Sequence, residues 1–481
     1  MGYAFFFLTV ITLLLPIAVA AKQEVITCRR ACLWALLFLL VHPAFSWASA
    51  TFIPPIPANV GEIEIYFLTR GAGADVYTKY GHTMIRVVDP SNRLDISYNW
   101  GAFDFDTPGF TLKFLRGLLP YYLDITNTSV QVEVSDIEQR WLVQEKLNLT
   151  DKQKAALLGE LNRAAQPDRR YYRYLFFTDN CSTRPRDFID RVLGGKIAAH
   201  FEGKESGATF RDKVMKHNAS APLLAMGQDV FLNREVDRAI SQWEEMFVPL
   251  KLREYLLTIP AYDDDGRPRP GEKLLSGTTI LASHPEPVNS PVNGYVILGL
   301  LLGIPALLGL VLHLKTPFRK AGVRIFGLVL AVWGATSGVF GLYLVLAWAF
   351  SDHTVVYHNA NLWLFWPIDW YFLIPGGAFL WKGAAPRKEG LLSKSTAWLV
   401  LGHLAALGIY GVLAIGGFFT QSVLRALIYF GPLAMLLYVP AFYLTGFTTP
   451  WSTSRRPRRP SRRSAPPLRR PPRSSGPDSG L

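Results

Sequence analysis

Two regimes of hydrophobic patterning divide the chain. Beyond about residue 290, uncharged apolar runs cover 293–314, 324–350, 362–381, 396–418 and 424–446. Each is near the roughly 20 residues that span a bilayer core. Before them, residues 51–290 carry short mixed patterns. Alternating apolar positions bounded by turn residues predict strands over 62–70, 82–89, 93–101 and 129–136. Amphipathic or capped patterns predict helices over 150–165, with Thr150 or Asp151 as cap, over 182–195 and over 234–257. In the second of these, Pro185 stands in the first turn and Gly194-Gly195 ends the helix. The mixture predicts an α+β domain with a small antiparallel sheet over 51–290. A five-helix α-helical transmembrane domain over 291–446 and a tail over 447–481 follow it.

Loop charge orients these helices. "HLKTPFRKAGVR" (313–324) and "WKGAAPRKEGLLSKS" (381–395) are basic, whereas "SDHTVVYHNAN" (351–361) and "TQSV" (420–423) hold no Lys or Arg. The positive-inside rule then puts the basic loops and the tail in the cytoplasm and residues 51–290 outside. The N-terminus requires the same side. Arg29-Arg30, a short apolar core and Ala48-Ser49-Ala50 predict a secretory signal cleaved after Ala50. The extra apolar stretch over 1–21 is not needed by such a signal. It predicts a translation start near Val25, the alternative being an additional membrane helix.

Half the residues are hydrophobic, and the apolar runs account for that share. The net charge of +13 would suit a nucleic-acid binder, but nine arginines and no acid lie within residues 454–473. A Pro/Arg/Ser tail directly after an apolar run reads as a disordered cytoplasmic anchor near anionic lipid, and no nucleic-acid partner is expected.

The chain has three cysteines, and Cys28 and Cys32 fall in the targeting region. Cys181 is then the single thiol of the exported domain, at the start of the helix predicted over 182–195. A helix N-terminus lowers a thiol pKa, and its N–H groups can hold an oxyanion. His82, at a strand start after Gly81, offers a base, and Asn99 in the next strand offers an orienting group. The plain alternatives are a buried cysteine, a structural histidine and an asparagine in a turn. Asp104 and Asp106 read as turn hydrogen-bonders, and Asp179 competes with Asn99 for the third role. One cysteine and no histidine pair at helical ligand spacing make a metal site unexpected.

"YTKYGHTMIRV" (77–87), "YNWGAFDFDTPGFTLKFLRGLLPY" (98–121), "LNLT" (147–150) and "YYRYLFFTDNCSTRPRD" (171–187) together resemble the Lnb N-terminal periplasmic domain family. The helical region resembles the membrane part of Lnb-type lipoprotein N-acyltransferases. The His-then-Cys order, with "NC" opening a helix, is similar to permuted papain-like enzymes, among them lecithin–retinol acyltransferases and some NlpC-type proteins. The resemblance implies Cys181 as nucleophile, His82 as base and a polar orienter, taken as Asn99. It implies a bacterial inner-membrane protein with its catalytic domain in the periplasm. Its implied reaction moves an acyl chain from a phospholipid through a Cys181 thioester to the N-terminal amine of a lipoprotein, without a cofactor.

Two further stretches suit a membrane-bound site. Residues 107–123 mix aromatic and aliphatic side chains with Lys113 and Arg116, as a bilayer-surface segment would; an ordinary core helix has the same stripe. The outer loop and the Trp-rich segment after it bring His353, His358, Asn359 and Asn361 to membrane level, where they are expected to line a lipid or amine pocket. Two other readings fit the same residues: an NlpC-type peptidase or amidase acting on peptidoglycan, and a non-catalytic binding module on a membrane anchor.

Overall fold

The computed structural model describes residues 53–55, 59–384 and 390–445. The signal sequence, its cleavage point, the upstream stretch and the arginine tail lie outside the described residues. So does part of the second basic loop.

The N-terminal half is built on a seven-stranded antiparallel sheet. Its strands are β1 (Glu64–Arg70), β2 (His82–Asp89), β3 (Leu94–Ala102), β4 (Pro120–Asn127), β5 (Leu142–Leu147), β6 (Tyr171–Arg173) and β7 (Leu275–Ala282). Their spatial order is β7-β5-β1-β2-β3-β4-β6. The helices that concern the site are α1 (Phe110–Arg116), α2 (Thr128–Ile137), α3 (Asp151–Ala164), α4 (Thr183–Val192) and α5 (Pro222–Phe231). Two small two-stranded sheets complete the unit.

The period of two in β2 and β3 sends Ile85, Val87, Ile96, Tyr98 and Trp100 to one face. There they pack on Leu157 and Leu161 of α3 and Phe188 and Ile189 of α4 as the main core. The expected helix over 150–165 forms with Thr150 as its cap, in a capping box with Gln153. The strand expected over 129–136 is instead the helix α2. Its alternating valines misled, because the stripe it buries is polar: Thr128, Gln131 and Ser135, at helical spacing. That stripe meets the buried Arg70 guanidinium, which donates to Ser135 Oγ (2.8 Å) and to the Gln131 carbonyl (2.6 Å). The long helix expected over 234–257 is broken into a 3₁₀ turn (Arg234–Val236), a strand (Ala239–Ser241) and two helices (Gln242–Glu245 and Pro249–Leu256). Residues 239–241 pair with Glu205–Thr209, and Pro249 can only open a new helix.

Among the described residues, four helices are long and apolar enough to cross a membrane: α6 (Gly294–Leu314), α7 (Arg319–Phe350, preceded by a 3₁₀ turn), α8 (Leu391–Ile415) and α9 (Leu424–Thr445). α6 and α7 meet backbone to backbone at Gly309 and Gly322, where an added Cβ would come within 3 Å of the opposite main chain. Of the five runs expected to span, four form such helices among the described residues. The run over 362–381 is divided into 3₁₀ segments (Ala360–Trp363, Pro367–Phe372) and a ten-residue helix (Leu373–Lys382). Pro367 sits where the second 3₁₀ turn begins, and Asp369 turns its carboxylate inward to Ser337 of α7, His403 of α8 and the Trp366 N–H. The segment still runs beside α7, from Gly341 at one end to Lys320 at the other. At 1.5 Å rise per residue those positions are roughly 30 Å apart.

The two halves share a core. Met226 and Val230 of α5 pack with Tyr295 of α6 and the apolar helices. Gly294 touches the Pro222 carbonyl so closely that a Cβ would lie 2.1 Å from its oxygen.

Candidate active site

Gly81 turns the chain into β2 with φ +83°, and a side chain there would strike the Arg70 carbonyl at 2.8 Å. The next residue, His82, pairs opposite Arg70 of β1. Asn99 of β3 pairs opposite Met84, so the strand period puts His82 and Asn99 on one face. They touch: His82 Nε2–H donates to Asn99 Oδ1 at 2.5 Å. With the proton on Nε2, the Nδ1 lone pair of a neutral imidazole is left free to act as base.

Cys181 approaches the same strand ends from the start of α4. Asn180 fixes it there. Asn180 Oδ1 accepts from the Ser182 and Thr183 N–H groups (2.8 Å each), and its amide donates to the carbonyls of Phe176 (2.8 Å) and Phe247 (2.9 Å). The sulfur is hydrogen-bonded by the Tyr174 hydroxyl (3.9 Å), by the Thr83 N–H and by its own N–H. Gly101, two residues after Asn99, makes the approach possible. It has φ +94°, and a Cβ there would lie 3.3 Å from the Tyr174 ring and 3.5 Å from Cys181 Cβ. Thus the residue after His82 and a residue two beyond Asn99 both border Cys181, 99 positions from His82 in sequence. Cys181 and His82 themselves share no direct hydrogen bond in the structure.

The electrostatics overturn one expectation. Burial pushes the Cys181 thiol up to about 11, only partly opposed by Tyr174, the Thr83 N–H and the charge of Arg140. No helix-start depression appears, because the first N–H groups of α4 are spent on Asn180 and the thiol is only 7% exposed. Burial first, and the charge of Arg70 second, press the His82 imidazole down to about 3, against the hydrogen bond to Asn99. Both groups are therefore neutral between about pH 3 and about pH 11. The thiolate fraction of Cys181 should grow tenfold per pH unit up to about 11, where an ordinary thiol levels off near ~8.5. Iodoacetamide labelling followed by mass spectrometry from pH 6 to 10 should show no plateau. A plateau below pH 8 would contradict this environment.

Arg140 completes the positive surroundings. Its Nε donates to the Gly71 carbonyl (2.7 Å) and its Nη1 binds Glu138 (2.7 Å), while its buried Nη2 has no partner among the described residues. Asp179, the rival orienter, is held by Arg184 (2.5 and 2.8 Å) and bonds no histidine. Asp104 does make the expected turn bond, accepting from the Asp106 N–H (2.9 Å). Among the described residues no group of three or more His, Cys, Asp or Glu is disposed to hold a metal ion.

The six residues expected to bind substrate lie at the junction of the two halves. Asn359 donates to the carbonyls of Val230 (3.0 Å), Phe231 (2.8 Å) and Leu232 (3.3 Å), and Asn361 to Val230 (2.7 Å). These amides cap the C-terminus of α5, and the Asn359 amide spends its donors there. His353 donates to the Phe114 carbonyl of α1 (3.1 Å), and Arg116 to the Phe350 carbonyl (3.1 Å). His358, at φ +48°, lies exposed against Trp348 with ring centroids 4.7 Å apart. Lys113 stands in the last turn of α1. Sequence reasoning missed Tyr174, Asn180, Thr83 and Gly101. The density of aromatics over 171–177 and the glycine inside a strand pattern were the available signals.

Residues 58–211 match the family described as the Lnb N-terminal periplasmic domain. No curated protein matches the chain, and no solved structure matches it. The match, with the four long apolar helices that follow, makes this a membrane protein with a periplasmic N-terminal domain.

Proposed function

We propose, from the premise that residues 58–211 belong to the Lnb N-terminal periplasmic domain family, that this protein is a thioester acyltransferase of the bacterial inner membrane. Its donor is a phospholipid and its acceptor the N-terminal amine of a lipoprotein. The observation that carries the reading is the convergence of Cys181 with the His82–Asn99 pair at the ends of β2 and β3. The His–Asn–Cys order on an antiparallel sheet followed by a helix supports a permuted papain-like domain.

The first half-reaction starts from neutral partners. Cys181 Sγ attacks the acyl carbonyl carbon while His82 Nδ1 takes the thiol proton. The oxyanion that forms is met by the N–H groups of Thr83 and Cys181 and by the positive field of Arg140. Collapse expels the alkoxide of the lysophospholipid, which takes the proton back from His82. In the second half, the lipoprotein amine attacks the thioester and passes its proton to His82 Nδ1. The Cys181 thiolate leaves and recovers that proton. A neutral, buried thiol suits this order of events. It stays unreactive until an ester occupies the site and proton transfer accompanies attack. Burial also keeps water from the thioester.

Asn99 acts through His82. Asn99→Ala should lower turnover about 10- to 100-fold, a part of the ~10²–10⁴ that a positioned base supplies. Asn99→Asp should recover part of the loss, because it retains an acceptor and raises the His82 pKa. A turnover unchanged in Asn99→Ala would remove it from the site.

The basic loops support a multi-pass arrangement with the C-terminal tail in the cytoplasm. The divided segment over 360–382 supports a fifth crossing, since it follows α7 over a membrane-like length. The peptidase reading uses the same three residues. Removing residues 291–481 would not separate the two readings, because it would uncover Met226 and Val230 of α5. Incubation of the whole protein with peptidoglycan fragments and with phospholipid, side by side, separates them.

A further inference from the structure

α1 is a helix with no buried residue, although four of its seven residues, Phe110, Leu112, Phe114 and Leu115, are hydrophobic. Leu112 is 61% exposed, and nearby Phe105 and Tyr77 are 61% and 54% exposed. Single exposed apolar side chains are ordinary, but a contiguous group of them marks a contact surface.

The position of α1 identifies what it contacts. Its last carbonyls are bonded by the residues that follow α7. The Ser351 hydroxyl donates to Leu115 (3.0 Å), the Asp352 N–H to Arg116 (2.8 Å) and His353 to Phe114 (3.1 Å). Arg116 returns a bond to the Phe350 carbonyl. α1 is therefore tied to the outer end of the longest apolar helix. Trp348 and Phe350 there are themselves exposed, so the apolar surface continues from the flank of α7 onto α1.

From that surface a file of rings leads inward. Phe105 meets Phe103 (4.9 Å between centroids), Phe103 meets Tyr121 (5.4 Å), and Tyr121 stacks on Tyr174 (4.6 Å). The Tyr174 hydroxyl is the group on Cys181 Sγ. The outer end of the file is apolar and exposed, and its inner end is the thiol.

We infer that α1 and Phe105 insert among the acyl chains of the leaflet bordering the periplasmic domain, and that the Phe103–Tyr121–Tyr174 file leads one lipid acyl chain from that leaflet to Cys181. The second clause rests on the acyltransferase reading; the first does not. Asp104 and Asp106, exposed on either side of Phe105, keep the insertion shallow, with their carboxylates at headgroup level. Lys113 and Arg116 meet the lipid phosphates. A protein partner would use the same exposed rings, but the continuity with the lipid-facing flank of α7 favours lipid.

The test uses the full chain with its own three cysteines replaced by serine, reconstituted in phosphatidylethanolamine/phosphatidylglycerol vesicles. Spin labels are attached through Phe105→Cys, Leu112→Cys and, as an aqueous reference, Lys152→Cys on the exposed side of α3. Expected is at least threefold more collision with oxygen than with a nickel chelate at the first two positions, and the reverse at the third. Equal nickel access at all three overturns the insertion. For the file, Tyr121→Ala in the otherwise native chain should cut Cys181 acylation by a long-chain phospholipid at least tenfold relative to acylation by a water-soluble acetyl thioester. An equal fall with both donors overturns the guiding role. If neither donor acylates the native chain, the acyltransferase reading fails and takes the guiding role with it, while the depth result stands by itself.

Discussion

Cys181→Ser should leave no measurable acyl transfer, and His82→Ala should do the same. Loss of a nucleophile, or of the base that serves it, costs on the order of 10⁴-fold or more where the residues act as a unit. Here the cost is unusually hard to evade. With its imidazole pressed down to about 3, His82 is a weak base, and it serves a thiol only because sulfur is intrinsically a strong nucleophile. A serine hydroxyl in the same place needs a stronger base than the site offers. Both variants should still insert in membrane and unfold at the native temperature within a few degrees. Cys181→Ser is nearly isosteric, His82 stands at the start of β2 and not in the main apolar core, and Asn180, which fixes the start of α4, is untouched. Lysophospholipid release and acylated acceptor are the readouts. Native turnover in either variant would remove Cys181 and His82 from the chemistry.

Arg211→Ala should destabilise the protein by about 3–5 kcal/mol, the usual cost of removing one partner from a buried charge network. Arg211 is 3% exposed and donates to the Asp229 carboxylate (2.9 Å) and carbonyl (2.6 Å), to Asp237 (2.5 Å) and to the carbonyl of Leu232 (2.9 Å). Asp229 also accepts from Tyr295 of α6 (2.8 Å) and Arg425 of α9 (3.0 Å), so the arginine anchors α5 where the two halves join. Its loss leaves Asp237 without its buried cation and the last turn of α5 without part of its cap. Thermal unfolding in nanodiscs should show the fall, and amide exchange should quicken over 222–237. Unchanged unfolding and exchange would mean that the apolar packing of Met226 and Val230 holds the junction alone.

Much of the site was legible because it rests on short-range patterns. Gly81-His82 opens a strand whose alternation is plain, and "NCST" opens a helix whose glycines end it. What could not be read was the environment. The helix start argued for an acidic thiol, yet Asn180 takes the N–H groups that would have acidified it and the fold buries the sulfur. α2 was misread for a related reason: its alternating valines look like a strand, but a buried arginine 61 positions away demands a polar helical stripe. The asparagines at 359 and 361 were expected to line a pocket at membrane level. Their partners, carbonyls at the end of α5, are more than a hundred residues distant and invisible to any local pattern.

The central claim is a thioester on Cys181, and the most direct measurement is the intact mass of the purified full-length protein after brief incubation with phospholipid. The account predicts one added acyl chain, mapped to the peptide holding Cys181, removed by hydroxylamine and accompanied by an equal amount of lysophospholipid. An unmodified Cys181 with no lysophospholipid released would contradict it.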